Sequence, residues 1–299
     1  MTKSFSLRRF INALLFLLFI FPQVFSQTSG PKTVFWKIYG NGLEKPSYLF
    51  GTIHIMPKED FESFRVVDKK LKESEQMVLE MAIDVPLKQQ IEWAKQMILP
   101  KGETLDAFMT KTAFDSLRHY VIDSLGVKES RFNTYLRFKP FAFYSALIPA
   151  VIGKKIEGYE MHFSKIAKKK DIPVRELESF EFQMGLFDSI PNEQQMEMFF
   201  GGDQDLRNDL NEMLKTYKEQ DIYTMSEDLS TQGTPSDFES KLIEKRNQAW
   251  IPKLAKLINE KSSFIAVGAG HLAGEQGLIR QLKALGYIVE PVMLRDEDR

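Results

Sequence analysis

Two of the four histidines stand in the same local frame, Gly51-Thr52-Ile53-His54 and Gly268-Ala269-Gly270-His271. In each, a glycine at the end of an apolar run precedes the imidazole by three positions. Glycine lets a backbone pass close to another strand or ligand, and the turn after it projects a side chain from the strand's carboxyl edge. In open α/β sheets ligands bind at that edge, so the two imidazoles can meet if both strands run the same way in one sheet. Taken singly, each is an ordinary strand-end histidine. A carboxylate belongs with them: Glu80 interrupts the apolar Met77-Val78-Leu79-Glu80-Met81-Ala82-Ile83. A buried carboxylate needs a cation, a donor or a metal, whereas on an edge strand Glu80 would face solvent.

His54, Glu80 and His271 together form a donor set for a divalent cation with positions left open for water, and manganese, cobalt, zinc or iron would suit it. Such a cation lowers the pKa of bound water and polarises a carbonyl. Without a metal, one histidine serves as a general base with Glu80 orienting it. Other chemistries are excluded. With no cysteine among 299 residues there is no disulfide framework, thiolate zinc site, iron–sulfur cluster or cysteine nucleophile. There is no HExxH pair and no GxSxG elbow, and the glycine-rich loop at Gly268 lacks the Lys-Ser/Thr ending of a P-loop. After His271 only 28 residues remain, too few for a dinucleotide fold. The net charge of −1 argues against nucleic acid as a partner, and 43% hydrophobic with 27% charged residues is a globular composition.

The elements that must position these residues lie at the two ends of the chain. Val34 to Tyr39 and Tyr48 to Ile55 read as a hairpin, with Asn41-Gly42 and Lys45-Pro46 supplying the turn. Asp60 to Ser74 has helical spacing and strand Gln76 to Ile83 follows, which predicts a crossover unit with neighbouring parallel strands. From Pro86 to about Leu229 the period is mostly helical, with one exception: the short strand Ile172 to Glu178 after a helix from Tyr159 to Lys170. Lys168 to Lys170 read as a solvated helix end. The last segment predicts a helix from Asp237 to Asn259 kinked near Pro252, strand Ser263 to Val267, helix Glu275 to Leu285 and strand Tyr287 to Met293. The expected fold class is therefore α/β (α+β). A central mixed β-sheet is built from residues 33–85 and 237–294, with a large helical insertion over 86–236, all in one domain spanning 27–299.

Residues 1–26 read as a signal peptide. Lys3, Arg8 and Arg9 precede an apolar run from Phe10 to Phe21, shorter than the roughly 20 residues of a spanning helix, and cleavage is expected near Ser26/Gln27. The expected location is thus periplasmic or secreted, with membrane contact only through an uncleaved signal. The remaining 273 residues carry 37 basic against 41 acidic side chains, a net charge of −4.

Several segments taken together resemble one family. They are Trp36-Lys37-Ile38, Tyr48 to His54, Leu79-Glu80, Leu177-Glu178-Ser179-Phe180-Glu181-Phe182-Gln183, Arg246-Asn247-Gln248-Ala249-Trp250 and Val267 to Gly274. The set is similar to the TraB/GumN family, which includes the TIKI-type metalloproteases and is more distantly similar to erythromycin esterases and haem-binding ChaN-like proteins. The resemblance implies that His54, Glu80 and His271 are the active constellation. It also implies that Arg246 and Asn247 hold a carboxylate or substrate carbonyl beside it, and that Glu178 and Glu181 belong to a shared element. For the last pair a strand end followed by acids at a helix start is an equal reading. His119 and His162 match no motif and are expected to be structural; Glu160 and His162 are spaced to face different ways on a helix.

The function expected is a metal-dependent hydrolase acting on an amide, most simply a peptide, through water activated by a cation on His54, Glu80 and His271. A binding protein of the same fold, sequestering a peptide signal or haem, is the alternative from another class, and a metal-independent esterase is the third.

Overall fold

The computed structural model describes residues 30–153, 155–201, 205–231 and 243–298. The expected signal peptide, and the start of the helix expected from Asp237, lie outside the described residues. Six strands form one mixed sheet in the order β6-β4-β7-β2-β1-β8. These strands are β1 (Phe35–Tyr39), β2 (Ser47–Thr52), β4 (Gln76–Leu79), β6 (Val174–Glu176), β7 (Ser263–Gly268) and β8 (Ile288–Pro291). β2, β7, β4 and β6 are mutually parallel, and β1 runs antiparallel to both β2 and β8. A two-residue strand β3 (Met56–Pro57) pairs with β5 (Ile156–Glu157) outside the main sheet.

The α/β class is as expected, and so is a sheet drawn from both ends of the chain. The expected hairpin is β1–β2, with Asn41, Gly40 and Gly42 all at positive φ in its turn. Two details differ. The strand containing Met77 ends at Leu79, so Glu80 is the first residue beyond it. And β2 and β4, although parallel, are not neighbours: β7 pairs with both and lies between them. The reason is burial. β7 reads Ser-Phe-Ile-Ala-Val-Gly and is buried along all but its last residue, which suits a central strand covered on both faces. The edge strand β6 is exposed throughout and carries Arg175 and Glu176, charges that suit an edge.

Helix α1 (Arg65–Glu73) buries Val67 and Leu71 and is the crossover between β2 and β4. The middle of the chain contributes α2 (Leu87–Gln96), α3 (Lys111–His119), α4 (Glu129–Tyr135), α5 (Pro140–Ile152), α6 (Tyr159–Lys169), α7 (Phe180–Asp188), α8 (Asn192–Phe200), α9 (Leu206–Lys218) and α10 (Ile222–Thr231). Helix α11 (Lys245–Glu260) contains Pro252, and α12 (Leu278–Ala284) precedes β8. No described helix is long and apolar enough to cross a membrane.

Two apolar cores result. One lies on the sheet and includes Trp36, Phe50, Phe264, Trp250 and Leu214; the other lies among the middle helices and includes Phe132, Phe143, Leu147 and Leu210. Ile152 packs on both. In the sheet core Phe264 is fully buried, its ring 5.0 Å from Phe163 and 6.4 Å from Phe35. Phe264→Ala is therefore expected to lower the unfolding free energy by about 3–5 kcal/mol. Met293→Ala, at an exposed position, should change it by less than about 0.5 kcal/mol. Urea denaturation of the two variants checks the contrast.

Candidate functional site

Four parallel strands deliver their next residues to one edge. β2 ends at Thr52 and leads to His54, β4 to Glu80, β6 to Glu178, and β7 through a single 3-10 turn, Ala269–His271, to His271. The register aligns Thr52 with Gly268 and Leu79 with both Ala266 and Glu176, so these ends lie side by side. The two motif glycines make the approach possible. A Cβ on Gly51 would lie 3.0 Å from the Ala269 Cα, and one on Gly268 would lie 3.2 Å from Glu80 Oε1. Each glycine therefore makes room for part of the opposite half of the site, and the Gly268 N–H donates to Glu80 Oε1 at 2.7 Å.

The floor of the site is a buried charge network. Arg246, in the first turn of α11, donates from Nη2 to Glu80 Oε2 at 2.5 Å and to Glu178 Oε1 at 2.6 Å, and from Nε to Glu178 Oε1 at 3.0 Å. Its Nη1 lies 3.1 Å from His271 Nε2. A guanidinium can only donate, so Nε2 is the acceptor and the proton of neutral His271 sits on Nδ1, which donates to Asn247 Oδ1 at 2.7 Å. Asn247 completes the clamp by donating to the carbonyls of His271 and Gln276. Trp250, one turn along α11, donates from Nε1 to Glu178 Oε2 at 2.9 Å and packs its ring 4.4 Å from His271. Gln183 spans both acids, 2.8 Å from Glu178 and 3.4 Å from Glu80.

His54 belongs to a second group at the mouth. Its ring is 66% exposed and Nδ1 meets Glu160 Oε1 at 2.8 Å, while the Thr52 hydroxyl donates to the same oxygen. Glu160 is carried there by the first turn of α6. The structure thus brings Glu80, Arg246, Asn247, His271 and Glu178 into one network and puts His54 on the same edge with a different partner. Glu178 lies beneath Arg246 with both oxygens engaged. Glu181 is an exposed residue of α7 within reach of Trp93 Nε1 at 3.3 Å. His119 pairs with Asp123 on the surface and His162 with Asp68. Glu160 and Thr52 escaped sequence reasoning because an acid in a helix's first turn is ordinary. Gln183 carries no local mark of its place between the two acids.

Electrostatics separates the two histidines. The Glu160 carboxylate beside it pushes His54 up to about 9. Burial, with the charges of Arg246 and His54, pushes His271 down to about 3, although Glu80 opposes this. Burial works against the charge on Glu80, but His271, Arg246, His54 and the Gly268 N–H outweigh it and hold the carboxyl at about 2. His271 is therefore neutral and Glu80 ionised across the physiological range, whereas His54 is an imidazolium below about pH 9.

The donors for a metal are engaged as they stand. Glu80 and His271 face each other, Oε1 to Nε2 at 3.8 Å, but Arg246 occupies Glu80 Oε2 and the Nε2 lone pair, and His54 Nδ1 is held by Glu160. Among the described residues no group of three His, Asp or Glu side chains is gathered for a metal. In this arrangement the cation beside Glu80 and His271 is a guanidinium, and a three-ligand ion on Glu80, His271 and His54 would need Arg246 and Glu160 to release their hold.

These shifts predict a stability maximum near pH 6.5. Below it the unfolded chain takes a proton that the folded His271 refuses until about pH 3, so stability falls with falling pH. Glu80, at about 2 against 4.5, adds to the loss below pH 4.5. Above it the opposite sign applies, because folded His54 keeps its proton to about pH 9 while the unfolded chain releases it. Urea midpoints measured from pH 4 to 9 should trace this dome, and His271→Gln should flatten its slope between pH 6.5 and 4.5.

Comparison with known sequences places the chain in a family. No curated protein matches the chain. The TraB/PrgY/gumN family matches over residues 34–291, from the residue before β1 to the last of β8. The chain belongs to the TraB/PrgY/gumN family.

Proposed function

We propose that this protein is an exported hydrolase of amide or ester bonds, with peptides as its substrate class, and that His54 moves the protons. One observation carries the reading: an exposed imidazole held by Glu160 at 2.8 Å on the carboxyl edge of a parallel sheet, beside a buried ionic floor. Because Nδ1 is held by Glu160, Nε2 is the atom that exchanges protons with a substrate. Unprotonated His54 takes a proton from water as the water oxygen attacks the carbonyl, and Glu160 stabilises the imidazolium that forms. The same proton then passes to the departing amine or alkoxide as the C–N or C–O bond breaks. Arg246, fixed between Glu80 and Glu178, keeps the floor of the site rigid beneath the reacting carbonyl.

Hydrolysis of a quenched-fluorescent peptide library and of a nitrophenyl ester is the direct test. His54→Ala should lower kcat/KM by about 10²–10⁴-fold, while His119→Ala leaves it unchanged. Since His54 is the base and titrates at about 9, kcat/KM should rise about tenfold per pH unit below that value and level above it. Peptide binding with no turnover by the wild type would replace this reading with sequestration.

A metal-dependent version of the same hydrolase is favoured by one specific observation. The three carboxylates Glu80, Glu160 and Glu178 face two cations, Arg246 and protonated His54, so the site has a residual negative charge that would attract a divalent ion. Manganese, cobalt, zinc or iron on Glu80 and His271, with His54, would require Arg246 and Glu160 to release their hold. Metal analysis of purified protein separates the versions. The histidine-base reading expects activity that survives chelation, and the metal reading expects about one ion per chain, retained on dialysis and lost in His271→Ala.

A further inference from the structure

An open cleft of about 470 Å³ lies between β3, the end of α5 and the outer face of α9. It falls within the roughly 300–1,000 Å³ range of small-molecule and peptide-side-chain sites. Its position follows from the two cores. Leu214 at its base belongs to the sheet core, Leu210 one turn earlier on α9 to the helical core, and Ile152 packs on both. Ligand sites favour such junctions between packed layers.

The cleft is also tied to the histidine at the mouth of the site. Pro57, which lines it, follows His54 by three residues and pairs with Ile156 of β5, three positions before Tyr159, where α6 with its Glu160 begins. On the other side, Tyr217 of α9 donates to the carbonyl of Gly51, the first residue of the motif that ends in His54, at 2.8 Å. The helix that forms one wall is thus fastened to the strand that carries His54.

The lining is apolar on one side and charged on the other. Pro57, Val151, Ile152 and Leu214 form the apolar part, and Asn211 and Lys215 rise from α9 beside them. Three further charged residues of the lining already have partners: Asp60 and Lys218 pair with each other at 2.5 Å, and Glu219 lies 3.9 Å from Lys32. Among the described residues no carboxylate lies within ion-pair distance of the Lys215 ammonium. Of the charged lining, Lys215 is the group without an ion-pair partner among the described residues, and it stands with Asn211 next to the apolar wall.

We propose that this cleft is the subsite for the part of a substrate flanking the bond to be cut, and that it takes an acidic peptide segment. The carboxylate of that segment pairs with Lys215, and an adjacent apolar side chain lies on Val151, Ile152 and Leu214. The proposal rests on the hydrolase reading for its meaning but makes a separate claim about binding.

Two fluorescein-labelled peptides, identical except for Leu-Asp or Leu-Asn at the centre, are titrated by anisotropy into the full chain carrying His54→Ala, so that no turnover intervenes. The Asp peptide is expected to bind at least about threefold tighter. Adding Lys215→Ala should abolish that preference, and Lys215→Glu should reverse it. Lys215 is exposed on α9, so neither change threatens the fold. Equal binding of the two peptides, binding of neither at millimolar concentration, or a preference that survives Lys215→Glu would overturn the proposal. A Lys215-dependent preference with no cleavage by the wild-type chain would keep the subsite and reject the hydrolase. Cleavage with no such preference would do the reverse.

Discussion

A guanidinium with 8% of its surface exposed sits between two carboxylates that are equally hidden, Glu80 and Glu178. Burying three charges costs several kcal/mol for each ion unless nearly every donor and acceptor is matched. The network around Arg246 meets that demand. Glu80 accepts from Arg246, from the Gly268 N–H and from Gln183, and Glu178 accepts from Arg246, Trp250 and Gln183. Removing one member of such a set strands the others and costs about 3–5 kcal/mol. The carboxyl edge is therefore rigid, and its rigidity depends on four strands arriving in register.

That dependence explains the topology around β7. In its central place Gly268 pairs with Thr52 and donates its N–H to Glu80, so one strand sets the distance between the His54 side and the Glu80 side. Helix α11 runs directly into β7, and its first turn supplies Arg246, Asn247 and Trp250 to the same network. The two histidines consequently have different environments. His271 is enclosed, neutral and bonded on both ring nitrogens, whereas His54 is solvent-facing and charged by Glu160. One imidazole is enclosed in the buried network and the other is open to solvent.

Much of the fold was legible because its signals are local. Asn41-Gly42 marked the hairpin, the apolar run at Phe264 marked a buried strand, and Tyr159 to Lys170 was recognisable as a helix within one residue of its observed end. The β3–β5 pair was not legible, since two-residue strands have no period to detect. The candidate residues were legible by type, and the sheet edge that gathers them by the parallel strands that lead to it. Glu80 was singled out as a charge in an apolar run, and it is indeed buried beside a cation. Arg246 and Asn247 entered through resemblance alone, because an arginine and an asparagine on a helix have no local mark of burial.

By itself, the sequence determined which groups this protein has for chemistry: nitrogen and oxygen donors without a thiol, two glycine–histidine motifs at opposite ends of the chain, and an isolated glutamate between them. Local spacing also set where strands end and turns begin, because backbone preference and hydrophobic period act over a few residues. The pairing of those groups was decided only by tertiary structure. That His54 goes to Glu160, 106 residues away, and Glu80 to Arg246, 166 residues away, depends on sheet order and register. Electrostatic partnership is a matter of distance and burial in space, and no local pattern encodes either.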